Sequence, residues 1–405
     1  MHPAQRTCIV RSVGLLGLAL LGPGALGAQG VGSSETMRRL EELAPRIVQT
    51  FAPVKAGELV AIYGGPHMIP AMEAIAREVQ KAGGHPLLLL QSPRVIHSYF
   101  MEVPDQYLGR PSAAWRDFQV KSIDVEIDLP AFENFQQSFA DIPAERQAKV
   151  REAGAQANAD FTERQNRGKM RQLFINPPSP ADAAFSHVDA ALYDRITWDA
   201  IATDYGQIHA QGEALRQTLD RSHQVRVTSP EGTDLTFSVA GRPVIVDAGI
   251  VSASASGLQA ARTAQLPGGA VFVAPLEGSV NGKIRAPSDQ CEQPVKDEAI
   301  DVSNGMPENV HAGSDEACVQ RAVKAAGRFG YVEIGLNPAL RPAEPGVGGA
   351  LLPLQAGMVT VDFGANAGLG GANKGNPQTG WFIVLPRATV EVDGRVIVKE
   401  GELTP

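Results

Sequence analysis

The chain has 405 residues, more than one hydrophobic core usually serves, so two domains are expected. Hydrophobic residues make up 43% and charged residues 20%, the balance of a soluble globular protein. A net charge of -8 argues against nucleic acid as a partner, because phosphate binding needs a basic surface.

The first residues read as a targeting segment. Arg6 and Arg11 lead into the apolar run "VGLLGLALLG", and the small residues "GALGA" follow. Ala25 and Gly27 fit the small-residue rule for signal cleavage, which places the cut near Gly27 or Ala28. The apolar run is too short to span a bilayer, so residues 1–28 are a signal peptide rather than an anchor. The expected location is periplasmic or extracellular, with no membrane contact after cleavage. Cys8 does not follow the apolar core and is not placed for lipidation. Removing the signal leaves Cys291 and Cys318. In an oxidising compartment they can form one disulfide closing a polar loop; two free thiols are the alternative. They are too few for a thiolate zinc site.

Residues 29–37 are Gly/Ser-rich and read as a mobile lead-in. In "MRRLEELAPRIVQTFAPV", Leu40, Leu43, Ile47 and Val48 recur at helical spacing. "GELVAIYGG" reads as a buried strand. The following helix puts Ile69, Met72, Ile75, Ala76 and Val79 on one face and stops at Gly83. "HPLLLLQ" is a second apolar run, and strand, helix and strand in this order predict a parallel βαβ unit. The loop "GGPH" lacks the G-x-G-x-x-G spacing of a dinucleotide site and reads as a tight turn. Residues 140–172 are charged and Ala-rich, a solvated helix. "LYDRITWDAIATDYGQIHAQGEALRQTLDRS" reads as one long helix whose apolar stripe is Trp198, Ile201, Tyr205, Ile208, Leu215 and Leu219.

The texture changes after Ser222. "QVRVTS", "DLTFSVAG", "PVIVDAG", "AVFVAP", "MVTVDFG" and "ATVEVDGRVIV" are short β-branched runs between Gly, Pro and Asn. Asn281-Gly282 and Asp393-Gly394 are hairpin signals. The predicted fold is an α/β N-terminal domain, residues 38–222, followed by a β-rich (α+β) domain, residues 223–405.

Familiar catalytic patterns do not occur. There is no G-x-S-x-G elbow and no H-E-x-x-H pair. No histidine follows His311, and His67, His85 and His97 are scattered through the first domain as surface or loop residues. The distinctive strings are "SPEGTDLTFSVAGR", "AQLPGGAVFVAPLEGSVNG", "GYVEIGLNP" and "GGANKG". In order and wording they resemble the aminopeptidase T (thermophilic leucyl aminopeptidase) family of metallopeptidases, over roughly residues 45–405.

The resemblance implies an α/β domain, a β-rich domain and a homodimer. In active members it implies two metal ions that activate water against the first peptide bond of a peptide. Such a centre needs carboxylates and imidazoles to hold the ions that polarise the carbonyl and lower the pKa of water. Where the family places a Glu before V-F, this chain has Ala270; where it places a Glu after the Gly of "GYVEIGLNP", it has Tyr331. Thr360 stands for a His at the start of "TVDFG". The later His and Asp have no counterpart in "NPQTGWFIV", nor the Tyr in "ANAGLGG". The opening string therefore keeps a shaped backbone but no first ligand. Glu333 and Asp362 lie two residues beyond Tyr331 and Thr360, on the same strand faces, and are the metal candidates if a site has been rebuilt. Otherwise they are hydrogen-bonded or solvated acids at strand ends. Glu277, Asn281, Asn337, Asn373 and Lys374 lie in family strings and are expected near the cavity; Asn281 could instead serve its turn, and Asn337 could end a strand.

Three functions stay open: a remodelled enzyme acting on peptides or another small molecule, a non-catalytic binding protein using the inherited cavity, and a structural or interaction subunit. No cofactor is expected, apart from divalent zinc, cobalt or manganese if the family activity persists. Mass spectrometry of the chain from its native cell should find an N-terminus near Ala28 or Gln29. An intact Met1 on soluble cytosolic protein overturns export.

Overall fold

Short β-branched runs punctuated by Gly and Pro set the strand pattern, and two long-range pairings decide how the runs group. The computed structural model describes residues 32–404 apart from 111, 252–257, 259, 289–290, 292–294, 341–348 and 376–378. The predicted signal peptide lies outside the described residues. The described strands are β1 (Leu59–Gly64), β2 (His85–Leu90), β3 (Val125–Asp128), β4 (Arg171–Ile175), β5 (Gln224–Thr228), β6 (Asp234–Ser238), β7 (Val244–Asp247), β8 (Thr263–Leu266), β9 (Ala270–Val273), β10 (Asn281–Ser288), β11 (Val295–Ser303), β12 (Met306–His311), β13 (Phe329–Gly335), β14 (Val359–Phe363), β15 (Trp381–Leu385), β16 (Thr389–Val392), β17 (Arg395–Lys399) and β18 (Glu402–Leu403).

The N-terminal part is α/β, as predicted. Its sheet has the order β2-β1-β3-β4-β8, and every pairing in it is parallel. The helix Ile69–Lys81 connects β1 to β2 and buries Ala71, Met72, Ile75 and Val79 against Val60 and Ile62. Gly83 ends it with a φ of 79°, which an L side chain rarely adopts. Ile69, assigned by periodicity to the buried face, is 40% exposed because it begins the helix beyond the sheet edge. The fifth strand, β8, comes from far down the chain. Thr263–Leu266 falls within the stretch that sequence texture assigned to the β-rich part, and it pairs with β4.

Three local expectations differ from the structure. The Gly/Ser-rich lead-in enters the helix Gly32–Arg46, where Glu35 pairs with Arg38 and Arg39 and Thr36 is buried. The charged stretch 140–172 holds the helix Ala144–Asn166, but Arg171 and Gln172 already belong to β4, and Val150 and Gln165 are fully buried. The single long helix is two, Ala190–Ala202 and Tyr205–Leu219. Asp204 breaks it by capping the second, its Oδ1 accepting the N–H groups of Gly206 (2.9 Å) and Gln207 (3.3 Å).

The β-rich part stacks two sheets, one of order β12-β11-β10-β6-β5-β16-β17-β18 and one of order β15-β14-β13-β9-β7. Val271, Val332, Val361, Phe363 and Ile383 of the smaller sheet share one core with Leu235, Phe237, Ile284 and Ile300 of the larger. Between the sheets, Trp381 Nε1 donates to the buried Glu298 carboxylate at 2.7 Å. Asp393-Gly394 turns β16 into β17, with both residues at positive φ. Asn281-Gly282 makes no hairpin. It starts β10, where a side chain on Gly282 would collide with Asp234 O, and Asn281 Oδ1 accepts the Asn304 N–H at 2.9 Å.

Cys291 and Cys318 form a disulfide that links the connection between β10 and β11 to the helix Glu316–Ala326. Alkylation under denaturing, non-reducing conditions should label neither cysteine. The double Cys→Ala variant is expected to lose about 2–4 kcal/mol of unfolding free energy in denaturant titration, from a loop of this size. Full labelling of both thiols overturns the bridge.

Candidate functional site

One face of the smaller sheet packs on the other sheet; the opposite face looks toward the helix Ala190–Ala202. Alternation decides which side chains it carries. Ile245, Phe272, Glu333, Thr360 and Val384 stand in one cross-strand row. Tyr331, Asp362 and Phe382 form the next, and Asp247, Ala270 and Gly335 a third on the other side. Tyr193, Ile196, Ala200, Leu351 and Leu354 pack against the Ile245, Ala270, Phe272 and Tyr331 end. Met358 packs with Phe382 and Val384 at the other.

The face is acidic and dry. Glu333 and Thr360 are 0% exposed and Asp362 is 2%. Thr360 Oγ1 and Asp362 Oδ2 have no hydrogen-bond partner among the described residues. Buried polar atoms are nearly always paired, so two such atoms on one strand face need a physical account. Burial, reinforced by the nearby Glu333, pushes the Asp362 carboxyl well above the usual carboxylate range. Burial likewise raises the Tyr331 phenol, with Asp362 and Glu333 adding to it. Burial thus favours the uncharged form of both groups.

The loop after β14 holds Asp362 in place. A β-bulge falls between Phe329 and Tyr331, at Gly330. A Cβ on Gly330 would lie 3.0 Å from Asp362 Oδ1, and one on Gly364 3.2 Å from it, so both glycines leave room for the carboxyl. Asn366 Nδ2 donates to Gly330 O at 2.9 Å and Asn373 Nδ2 to Gly364 O at 2.6 Å. Asn366 Oδ1 accepts the Asn373 N–H at 2.8 Å. Glu277 closes this network, accepting from the Ala372 N–H, from Asn366 Nδ2 and from Arg242, which also donates to Gly370 O. Burial works against the Glu277 charge, but the Ala372 N–H, Arg242 and Asn366 outweigh it and hold its carboxyl below the usual range.

The family-string candidates thus divide. Glu333 and Asp362 share the buried face. Glu277 and Asn373 belong to the loop network behind Asp362. Asn337 is fully buried at the end of β13, where Nδ2 donates to Ala200 O (3.1 Å) and Gly268 O (2.9 Å). Asn281 serves the start of β10, with Nδ2 on Ser279 O, and Lys374 is exposed on the loop. Sequence reading missed Asp247, Arg242 and Asn366. Asp247 was the most findable: in "PVIVDAG" the alternation sets it on the face of Ile245. It comes opposite Ala270, and its Oδ1 accepts the Gly249 N–H at 2.9 Å. Among the described residues, the one group of three His, Cys, Asp or Glu side chains within ligating distance is Cys291, Asp315 and Cys318, whose sulfurs are bonded to each other.

This architecture, two stacked sheets on a parallel α/β unit, is that of a known peptidase class. Residues 36–337 match the family model "Thermophilic metalloprotease (M29)", and the chain belongs to that family. Its fold is similar to that of AmpT from Thermus thermophilus, at a TM-score of 0.67 and 17% identity, covering 91% of this chain and 99% of that one. It is also similar to 2,5-dihydroxypyridine dioxygenase from Pseudomonas putida KT2440, at a TM-score of 0.59 and 14% identity over 93% and 98% of the two chains. At these identities the likeness is one of fold. No curated protein matches the chain.

The Asp362 arrangement sets a pH dependence. A carboxyl whose folded pKa is raised stabilises the fold fully below its unfolded value, and the contribution is lost as pH rises through the folded pKa. The wild type should therefore lose melting temperature as pH rises above the usual carboxylate range. Asp362→Asn, which mimics the neutral acid, should be flatter and relatively more stable at high pH. Parallel melting curves for the two across that range overturn the assignment.

Proposed function

We propose that this chain is a ligand-binding member of the M29 family that works without a dinuclear metal centre. The observation carrying this reading is the donor inventory of the buried sheet face. A pair of divalent ions needs several deprotonated carboxylates and imidazoles around it. The positions that the resemblance assigns to ligands hold a methyl (Ala270), a neutral phenol (Tyr331) and a hydroxyl (Thr360). The residues present do not fit such a centre.

A mononuclear site rebuilt on Glu333 and Asp362 fits no better. No third His, Cys, Asp or Glu comes within ligating distance of the pair among the described residues. What remains is a buried acidic face with apolar neighbours, and a small peptide or another small molecule is the ligand this reading expects. Export, from the order of residues 1–28, and a homodimer, from the family resemblance, belong to the same reading.

Elemental analysis of the purified mature chain should find well under one equivalent of zinc, cobalt or manganese. Aminoacyl reporters should show no turnover above background with or without those ions. Two tightly held equivalents with metal-dependent release of N-terminal residues would overturn the proposal.

A further inference from the structure

We infer that Cys291, Cys318 and Asp315 form a zinc site that takes the place of the disulfide when the two cysteines are reduced. The site is separate from the buried face of the smaller sheet. The two sulfurs and a carboxylate oxygen of Asp315 all lie within 4.8 Å of one another. Cys291 is buried, Cys318 half-buried and Asp315 exposed, so an ion can enter from the Asp315 side. Two cysteines alone are too few for zinc, but the fold sets a third ligand beside them.

Local geometry puts Asp315 there. It precedes the helix Glu316–Ala326, at the position where an aspartate ordinarily accepts a backbone N–H of the first turn. Asp315 makes no such bond. Its φ of 47° and ψ of 39° are left-handed, a conformation that Asp tolerates better than most side chains. The carboxylate is left beside the sulfurs instead of over the helix end. Cys318 lies in the first turn of the same helix, and its N–H donates to Asp315 O at 2.9 Å. The positive end of a helix dipole favours the thiolate, the form that binds metal. The two Cα atoms stand 6.3 Å apart, a span that two thiolates bound to one ion at about 2.3 Å each can bridge. Two thiolates and a carboxylate suit zinc rather than magnesium or calcium, and water completes the tetrahedron.

Bridge and ion exclude each other because they use the same sulfurs. An external dithiol opens the bridge by exchange: it gives two electrons and two protons to the sulfurs and closes its own disulfide. Zinc then displaces both thiol protons as two zinc–sulfur bonds form, with no change in its oxidation state. Either way, the connection between β10 and β11 stays tied to the helix.

The test is metal uptake by the mature chain, oxidised and dithiol-reduced, after removal of the reductant under anaerobic buffer. The reduced chain should take up one equivalent of zinc by elemental analysis. With cadmium it should show the ultraviolet charge-transfer band of a metal thiolate. The oxidised chain should do neither. Zinc should raise the melting temperature of the reduced chain alone. Asp315→Asn keeps a residue that tolerates the left-handed backbone and should weaken zinc binding at least about tenfold. The Cys291→Ser, Cys318→Ser double variant should bind none. If it fails to fold, the two states of the wild type and the Asp315→Asn variant decide the matter. No stoichiometric zinc on the reduced chain overturns the site, as does an Asp315→Asn variant that binds as tightly as the wild type. Metal held by the oxidised chain bears on the sheet face and the proposed function, not on this site.

Discussion

One buried amide ties the working parts together. The Nδ2 group of Asn337 donates to Ala200 O, at the end of a helix in the N-terminal part, and to Gly268 O, in the turn between β8 and β9. Its backbone N–H donates to Leu354 O at 2.8 Å, and its Oδ1 accepts the Ala339 N–H at 3.1 Å. A single side chain thus meets two carbonyls at element ends, and Ala200 O accepts the Tyr205 hydroxyl as well, at 3.0 Å. Gly269 beside it has no room for a side chain, since a Cβ there would press on the Asn337 backbone at 3.2 Å. The helix, the turn and the segment Gly349–Leu354 are thereby held over the face of β13. The buried row of Phe272, Glu333 and Thr360 exists because that cover is fixed.

The cover has an energetic consequence. Excluding water from a face with two close carboxyl groups is costly unless one of them stays neutral. At Asp362, burial and the nearby Glu333 favour the uncharged carboxyl. The glycines at 330 and 364 leave space for its carboxyl, and Asn366 and Asn373 pin the carbonyls of those same glycines. Glu277 and Arg242 anchor the loop from outside. One oxygen of the Asp362 carboxyl has no hydrogen-bond partner among the described residues.

The parallel sheet shows how far chain order and spatial order diverge. Its strands β1 to β4 follow one another, but the fifth, β8, arrives after three strands of the other sheets have formed. The two parts of the chain are therefore stitched by backbone, and the turn at Pro267-Gly268 leads from the parallel sheet straight into β9 and the candidate site. The stitching uses backbone hydrogen bonds between β4 and β8.

Much of this was legible in the amino-acid sequence, wherever the deciding physics is local. Alternation gave the β-rich half, and helical spacing gave the face of Met72, Ile75 and Val79. The Asp393-Gly394 turn needs residues that tolerate positive φ, and the sequence supplies them. The strings shared with the family carried its fold, and the resemblance set Ala270, Tyr331 and Thr360 where it expects ligands. The common facing of Glu333 and Asp362 also followed from counting two residues along each strand. Only the tertiary structure decided the rest, because it turns on pairings between residues far apart in the chain. Spacing cannot reveal that β8 joins β4, that Asp247 lies opposite Ala270, or that Glu277 and Asn373 brace one loop. Nor can it show that Thr360 and Asp362 are buried, since burial depends on which distant parts of the chain cover a strand.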